Sequence, residues 1–83
     1  MSQTTPTDLP VDQELDASGL NCPMPLLKAK RALNELESGQ CLKVIATDPG
    51  SQRDIASFAK LAGHDLLHQT EQGDQFLYWI KKA

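Results

Sequence analysis

The two prolines of Cys22-Pro23-Met24-Pro25, directly before a stretch of helical periodicity, determine where the first helix of this chain begins. Proline is favoured at the first helical position because its missing N–H has no partner there in any case. Cys22 is then the N-cap, with Pro23 at the first position and Pro25 at the third. Met24 supplies the remaining first-turn N–H to the sulfur. A thiol at the positive end of a helix has a lowered pKa, and its thiolate is the reactive form. The segment predicts a reactive Cys22 supported by Pro23, Met24 and Pro25.

The alternative is that Cys22 is a buried, inert cysteine, because free cysteine is among the most buried residue types. Two observations favour the reactive site. Prolines flank Met24 just after the cysteine, and the preceding Ser18-Gly19-Leu20-Asn21 has the composition of a polar turn.

The chain has 83 residues, enough for one small domain, which we expect over residues 11–83. Residues 1–10 are polar and rich in proline and threonine, which predicts a disordered N-terminal tail rather than a signal peptide. No apolar run approaches the roughly 18 residues that a membrane helix needs. We therefore expect a cytoplasmic protein that does not contact membranes.

The charge balance argues against direct nucleic-acid binding. The net charge is −3 at pH 7, whereas a general nucleic-acid binder is basic. The chain has two cysteines and no export signal, so the sequence does not predict a disulfide framework.

The hydrophobic patterning predicts a β-α-β-α-β-β order. The predicted strands are residues 11–17, 41–47, 64–71 and 75–81, and the predicted helices are residues 23–37 and 51–62. Ser51 to Asp54 has the form of a capping box at the start of the second helix. Right-handed crossovers make strands one and two parallel and place both helices on one face of the sheet. The expected fold is an α/β two-layer sandwich with a mixed four-stranded sheet.

The apolar stripes assign the buried faces. Leu26, Ala29, Ala32, Leu33 and Leu36 form the stripe of helix one, and Ile55, Phe58, Ala59 and Ala62 that of helix two. Met24, Leu27, Lys28 and Arg31 fall away from the first stripe, which indicates either a partner docking surface or scattered surface residues. In the last strand Phe76, Tyr78 and Ile80 share one face, and Leu77 and Trp79 the other. We expect a monomer, or a weak dimer through an exposed Leu77/Trp79 face.

The candidate site lies where two strands end. Cys22 follows strand one and residues 48–51 follow strand two, and the ends of parallel strands share one sheet edge. Arg53 is the nearest candidate cation for an anionic sulfur, unless it is a solvated surface arginine. We expect Asp48 and Ser51 near this edge, with Asp48 and Asp54 in structural roles.

The remaining cysteine and the histidines predict no metal or cofactor site. Cys41 begins strand two and should lie at the opposite sheet edge from Cys22, too far for a disulfide bond. His64 and His68 are spaced like ligands on a helix but fall in a predicted strand, where they lie too far apart. His64 is interpreted as a hydrogen-bonding turn residue.

The chain resembles the TusA/SirA-like family of small sulfur carriers from about residue 14 to residue 82. The resemblance is carried by Leu15-Asp16-Ala17-x-Gly19-Leu20-x-Cys22-Pro23-x-Pro25, Asp48-Pro49, Arg53-Asp54-Ile55, Phe58 and Gly63-His64. It implies the β-α-β-α-β-β sandwich and a Cys22 persulfide that is filled by a cysteine desulfurase. It further implies relay to a downstream acceptor protein, toward 2-thiouridine in tRNA or toward molybdenum-cofactor or selenium metabolism, by a carrier rather than a stand-alone enzyme.

One position departs from the family pattern. The tRNA-thiolation branch typically carries glutamate between the prolines, and this chain has Met24, which removes an acidic contact from the docking surface. Two other functions remain open from the residues: a regulatory or adaptor domain that binds partners through helix one and Trp79, and a redox-sensing cysteine.

Overall fold

The computed structural model describes residues 11–21 and 23–83. Their elements are β1 (Gln13–Ala17), α1 (Met24–Asn34), β2 (Cys41–Ala46), α2 (Ser51–Ala62), β3 (Asp65–Gln72) and β4 (Gln75–Lys81). The order is the predicted one, although β1 and α1 are shorter than predicted. The predicted tail, residues 1–10, and the predicted nucleophile Cys22 lie outside the described residues.

The strands form one mixed sheet in the order β1-β2-β4-β3. β1 runs parallel to β2, with Ala17 opposite Ala46, so the C-terminal ends of both strands lie at the same edge. β4 is antiparallel to its neighbours β2 and β3. The predicted fold class is confirmed.

Both helices pack on one face of this sheet. The shared core is made of alternate residues of β2 and β4 and the apolar stripes of α1 and α2; it comprises Ala29, Ala32, Leu33, Leu36, Leu42, Val44, Ala46, Ile55, Phe76, Tyr78 and Ile80. Three stripe residues differ from the prediction. Leu26 and Phe58 are only half-buried and Ala62 is exposed, and all three lie at the margin between the helices, although Phe58 still packs against the core.

The opposite face of the sheet carries a second buried cluster, Cys41, Leu77 and Trp79, with the half-buried Ile45 against it. The prediction of an exposed Leu77/Trp79 face is therefore wrong, since Trp79 is 0% exposed and Leu77 is 5% exposed. Lys43 lies over the Trp79 ring at 5.4 Å, and the His68 ring is 5.2 Å from it. Long side chains can cover a neighbouring ring with their apolar stems while the charged end stays in water. The predicted contribution of Trp79 to adaptor binding fails for the same reason.

Candidate functional site at the C-terminal ends of β1 and β2

The loop after β1 and the turn after β2 are in direct contact. The Gly19 N–H donates a hydrogen bond of 2.8 Å to the hydroxyl oxygen of Thr47. This contact joins the loop that leads to Cys22 with the turn that leads to α2. The segment before position 22 thus meets the end of β2, while the predicted placement of Cys22 beside residues 48–51 stays a prediction.

Local hydrogen bonds shape the β1–α1 loop. The Ser18 N–H donates to the Asp16 carboxylate at 3.0 Å, and Leu20 N–H to the Ala17 carbonyl at 3.3 Å. Hydrogen bonds from the Ser18 side chain and backbone lower the pKa of Asp16. Gly19 has φ +81°, a backbone conformation that side chains other than glycine's rarely adopt. The turn predicted from the composition of residues 18–21 is thus present, with Gly19 in the conformation that it needs.

The N-terminus of α1 differs from the prediction by one position. Pro23 is the N-cap and Met24 the first helical residue, which places Cys22 just before the cap in the sequence. The Met24 N–H donates to the Asn21 carbonyl at 2.8 Å. Met24 was expected to donate this N–H to the sulfur, and that expectation is wrong because the Asn21 carbonyl accepts it. The N-cap assignment of Cys22 is likewise wrong.

The two prolines have different surroundings. Pro23 is exposed, whereas Pro25 is among the fully buried residues of the molecule. Pro25 therefore anchors the first turn of α1 in the protein interior while the residues just before it stay at the surface. This arrangement supports the predicted role of both prolines as a rigid base for position 22.

Ser51 does not cap α2. It is 2% exposed, and its hydroxyl lies 2.7 Å from the Tyr78 hydroxyl on β4. Gly50 is the N-cap, and among the described residues no side chain caps this helix. The predicted capping box is wrong because Ser51 points into the core. Tyr78 is the residue that sequence reasoning missed here.

Asp48 and Arg53, near the β2–α2 turn, differ in burial. Asp48 is half-buried, and its Oδ2 atom is buried with no hydrogen-bond partner among the described residues. Arg53 is exposed and, with Pro49, Gly50, Gln52 and Asp54, lines a shallow depression of about 560 Å³. No described contact joins Arg53 to the β1–α1 loop, so its role beside the sulfur stays a prediction.

One face of α1 is open at the surface. Met24 and Leu27 are 41% and 49% exposed, and together with the exposed Lys28 and Arg31 they line a shallow depression of about 190 Å³. Their predicted exposure is confirmed. Beside them the margin between α1 and α2 forms an apolar groove of about 420 Å³, lined by Leu26, Lys30, Asp54, Ser57, Phe58, Leu61 and Ala62. Sequence reasoning missed this groove, although the 87% exposed Leu61 lies off the buried stripe of its helix.

Cys41 has the environment of a structural residue. It is buried at the start of β2, where its N–H donates to the Asp12 carboxylate at 2.8 Å. Burial, and secondly the negative charge of Asp12, raise the pKa of its thiol. Cys41 was predicted to lie far from the candidate site. The strand register agrees, because Ala46 lies at the end of β2 next to the site and Cys41 at the other end.

The two histidines contact different residues. His64 accepts a hydrogen bond from the Ala83 N–H at 3.0 Å, in agreement with its predicted role, and His68 packs on Trp79. In residues 11–21 and 23–83, no group of three or more metal-ligating side chains comes together. Nor does that part of the chain contain a helix with the length and apolarity to cross a bilayer.

The profile of the family described as sulfurtransferase TusA matches residues 13–82. The chain belongs to the TusA family. The sulfur carrier protein TusA of Allochromatium vinosum is 58% identical over 72 residues, which cover 87% of this chain and 95% of that protein. The putative sulfur carrier protein YrkI of Bacillus subtilis is 55% identical over 72 residues, which cover 87% of this chain and 96% of that protein.

A solved structure shares the fold. The crystal structure of a SirA-like protein from Desulfitobacterium hafniense has a TM-score of 0.76 and 28% sequence identity, and the match covers 83% of this chain and 95% of that chain. The family resemblance drawn from the motifs is thus confirmed at the level of both sequence and fold.

Proposed function

We propose that this TusA-family protein is a sulfur carrier, with residues 11–83 acting as one domain and Cys22 holding the sulfur as a persulfide. The proposal is supported by the position of the family's Cys-Pro-x-Pro segment in the fold. Asn21 and Pro23, on either side of position 22, are both exposed at the sheet edge where two loops converge. A site of this kind suits transfer between two proteins, because each partner's sulfur must reach the carrier's sulfur directly.

The transfer needs no redox partner. The Cys22 thiolate attacks the outer sulfur of a persulfide on the donor protein, so a bond from Sγ to that sulfur forms. The sulfur–sulfur bond of the donor breaks, and its electron pair leaves on the donor thiolate. In delivery, a thiolate on the acceptor attacks the outer sulfur of the Cys22 persulfide. The bond from Sγ to that sulfur breaks, and its electron pair leaves on the Cys22 thiolate. A partly positive helix N-terminus favours the thiolate and persulfide anions.

The exposed face of α1 supports a docking role for Met24, Leu27, Lys28 and Arg31. Two apolar side chains lie beside two cations, and the first turn of α1 contains no acidic residue. Such a surface suits a partner with a negatively charged rim around an apolar contact. We propose that it receives a cysteine desulfurase as donor and then a sulfur acceptor protein, both in the cytoplasm.

The destination of the sulfur is tRNA thiolation or cofactor sulfur metabolism. In either case the acceptor is a protein, and the acidic balance of the chain argues against direct contact with the RNA. Met24 offers an apolar contact where the tRNA branch has an acidic one. We therefore expect the acceptor to differ from that of the tRNA branch at this contact.

The test is to incubate the reduced protein with a cysteine desulfurase, pyridoxal phosphate and cysteine, and to record its intact mass with and without reductant. We expect a reducible gain of sulfur that Cys22→Ser abolishes and Cys41→Ser retains. A gain retained in Cys22→Ser would refute the assignment. Partner binding and activity that are unchanged in Cys22→Ser would instead support an adaptor domain.

The docking face is tested separately with the double variant Lys28→Glu/Arg31→Glu. We expect slower sulfur loading, with the largest loss at low ionic strength where charge steering is strongest. Lys60→Glu/Lys81→Glu is the matched control, because it changes the net charge by the same amount at exposed lysines of α2 and β4 that lie outside this face. Equal losses in both variants would show that net charge, rather than this face, affects loading.

A further inference from the structure

Among the described residues, the β1–α1 loop is linked to the end of β2 by the side chain of Thr47, which lies outside the Cys-Pro-x-Pro segment. Within the described loop residues, the other hydrogen bonds of Ser18, Leu20 and Asn21 join residues that are close neighbours in sequence. These bonds define the shape of the turn. Only the bond from Gly19 N–H to Thr47 connects the described part of this loop to the end of β2.

The linkage acts close to position 22. Leu20 and Asn21 alone separate Gly19 from Cys22, and Asn21 is itself bonded through its carbonyl to the first residue of α1. A displacement of Gly19 is therefore transmitted over a very short length of chain. Thr47 is itself held in place on both sides. It directly follows the central strand β2, and it precedes the turn that the Ser51–Tyr78 hydrogen bond joins to β4.

We propose that Thr47 is a positioning residue for sulfur transfer: its hydroxyl holds Gly19 and, through it, the described loop residues that lead to Cys22. The inference rests on the proposed function. The hydroxyl acts as an acceptor and takes no part in the chemistry. Any side chain that presents an oxygen at this point keeps the loop in place, whereas an isosteric apolar side chain releases it.

The test compares Thr47→Val, which keeps the shape and removes the acceptor, with Thr47→Ser, which keeps the acceptor. Both are made in a Cys41→Ala background so that Cys22 is the single thiol. The rate constant for Cys22 alkylation by iodoacetamide is measured from pH 5 to pH 10, as is amide hydrogen exchange at Gly19. Thr70→Val is the matched control, since Thr70 is a half-buried threonine on β3, away from the loop.

We expect Thr47→Val to speed exchange at Gly19 and to slow alkylation near neutral pH by about twofold to tenfold, the range that corresponds to one ordinary hydrogen bond. The midpoint of its pH profile should rise. Thr47→Ser and Thr70→Val should match the background protein. Faster exchange at Gly19 with an unchanged alkylation profile would overturn the inference, and so would equal slowing in Thr47→Val and Thr47→Ser.

Alkylation needs no sulfur donor, so this result is independent of the proposed function. If the wild-type protein fails to gain sulfur while Thr47→Val still slows alkylation, the carrier function fails, and only the effect of Thr47 on the reactivity of Cys22 stands. If the wild-type protein gains sulfur, and Thr47→Val gains sulfur and is alkylated at the same rates, the carrier function stands and the positioning role of Thr47 fails.

Discussion

At the scale of single residues, the Ser51–Tyr78 hydroxyl pair is a buried polar contact within the core. Both residues are buried, and each hydroxyl is hydrogen-bonded to the other at 2.7 Å. Tyr78→Phe removes one hydroxyl and leaves the other buried and unpaired, which costs about 1–3 kcal/mol. We expect a corresponding loss in the free energy of unfolding measured with urea.

The double variant Ser51→Ala/Tyr78→Phe is the control for this pair. It removes both hydroxyls, so the loss should be clearly smaller than the sum of the two single losses. Strict additivity would show that the two hydroxyls do not stabilise one another.

The two cysteines should differ sharply in reactivity. Cys41 is 1% exposed, and burial raises the pKa of its thiol, so very little of the reactive thiolate reaches solvent. We expect mass spectrometry to show one rapidly alkylated cysteine, Cys22, in the folded protein at pH 7.5, with Cys41 modified only after denaturation. Comparable rates at both sites would contradict the structural role of Cys41.

At the scale of elements, the end of α2 is set by Gly63. Its φ of +82° is a left-handed conformation, and the next residue, His64, donates its N–H to the Ala59 carbonyl at 2.8 Å. A Cβ at Gly63 would meet no atom within 4 Å, so the cost of substitution comes from the backbone alone. Gly63→Ala should lower the free energy of unfolding by about 1 kcal/mol.

Asparagine tolerates the left-handed conformation better than alanine does. Gly63→Asn should therefore be less destabilising than Gly63→Ala when both are measured by thermal unfolding. Equal losses in the two variants would indicate that packing rather than backbone conformation is responsible.

The elements themselves could be predicted from the sequence because their signals are local. Helical periodicity after the prolines, glycine at Gly63 and alternation in β4 each depend on neighbouring residues, and the right-handed crossover rule then gives the layered arrangement. Ser51 shows where local signals fail. Its spacing from Asp54 fits a capping box, but Tyr78, far along the chain, turns it into a core residue.

The burial of Trp79 on the sheet face away from the helices could not be predicted, for a related reason. A two-layer fold covers one face of its sheet with helices, which suggests that Trp79 on the other face is exposed. The Trp79 ring is contacted by Lys43 and His68, which lie on two different neighbouring strands. Strand order and register bring these residues together, and neither can be read from spacing along the chain.

At the scale of the whole molecule, alkaline pH should weaken the fold through two buried groups. Burial is the main cause that raises the pKa of Tyr78 above its ordinary value of 10.0 and that of Cys41 above 9.0. At high pH the unfolded chain loses these protons first, so the folded state binds more protons and stability falls as pH rises. This contribution is fully present below about pH 9 and is lost as pH rises through the folded-state pKa values.

The prediction is checked by measuring the free energy of unfolding between pH 7 and pH 11. Tyr78→Phe cannot ionise at this position and should show a shallower decline above pH 10, even though it is less stable at neutral pH. Cys41→Ala should show a shallower decline from about pH 9, because its thiol is absent in both states. Each variant isolates one group, since Tyr78 faces the helices and Cys41 lies in the cluster on the opposite face. If both variants declined as steeply as the wild type, other groups would govern alkaline unfolding.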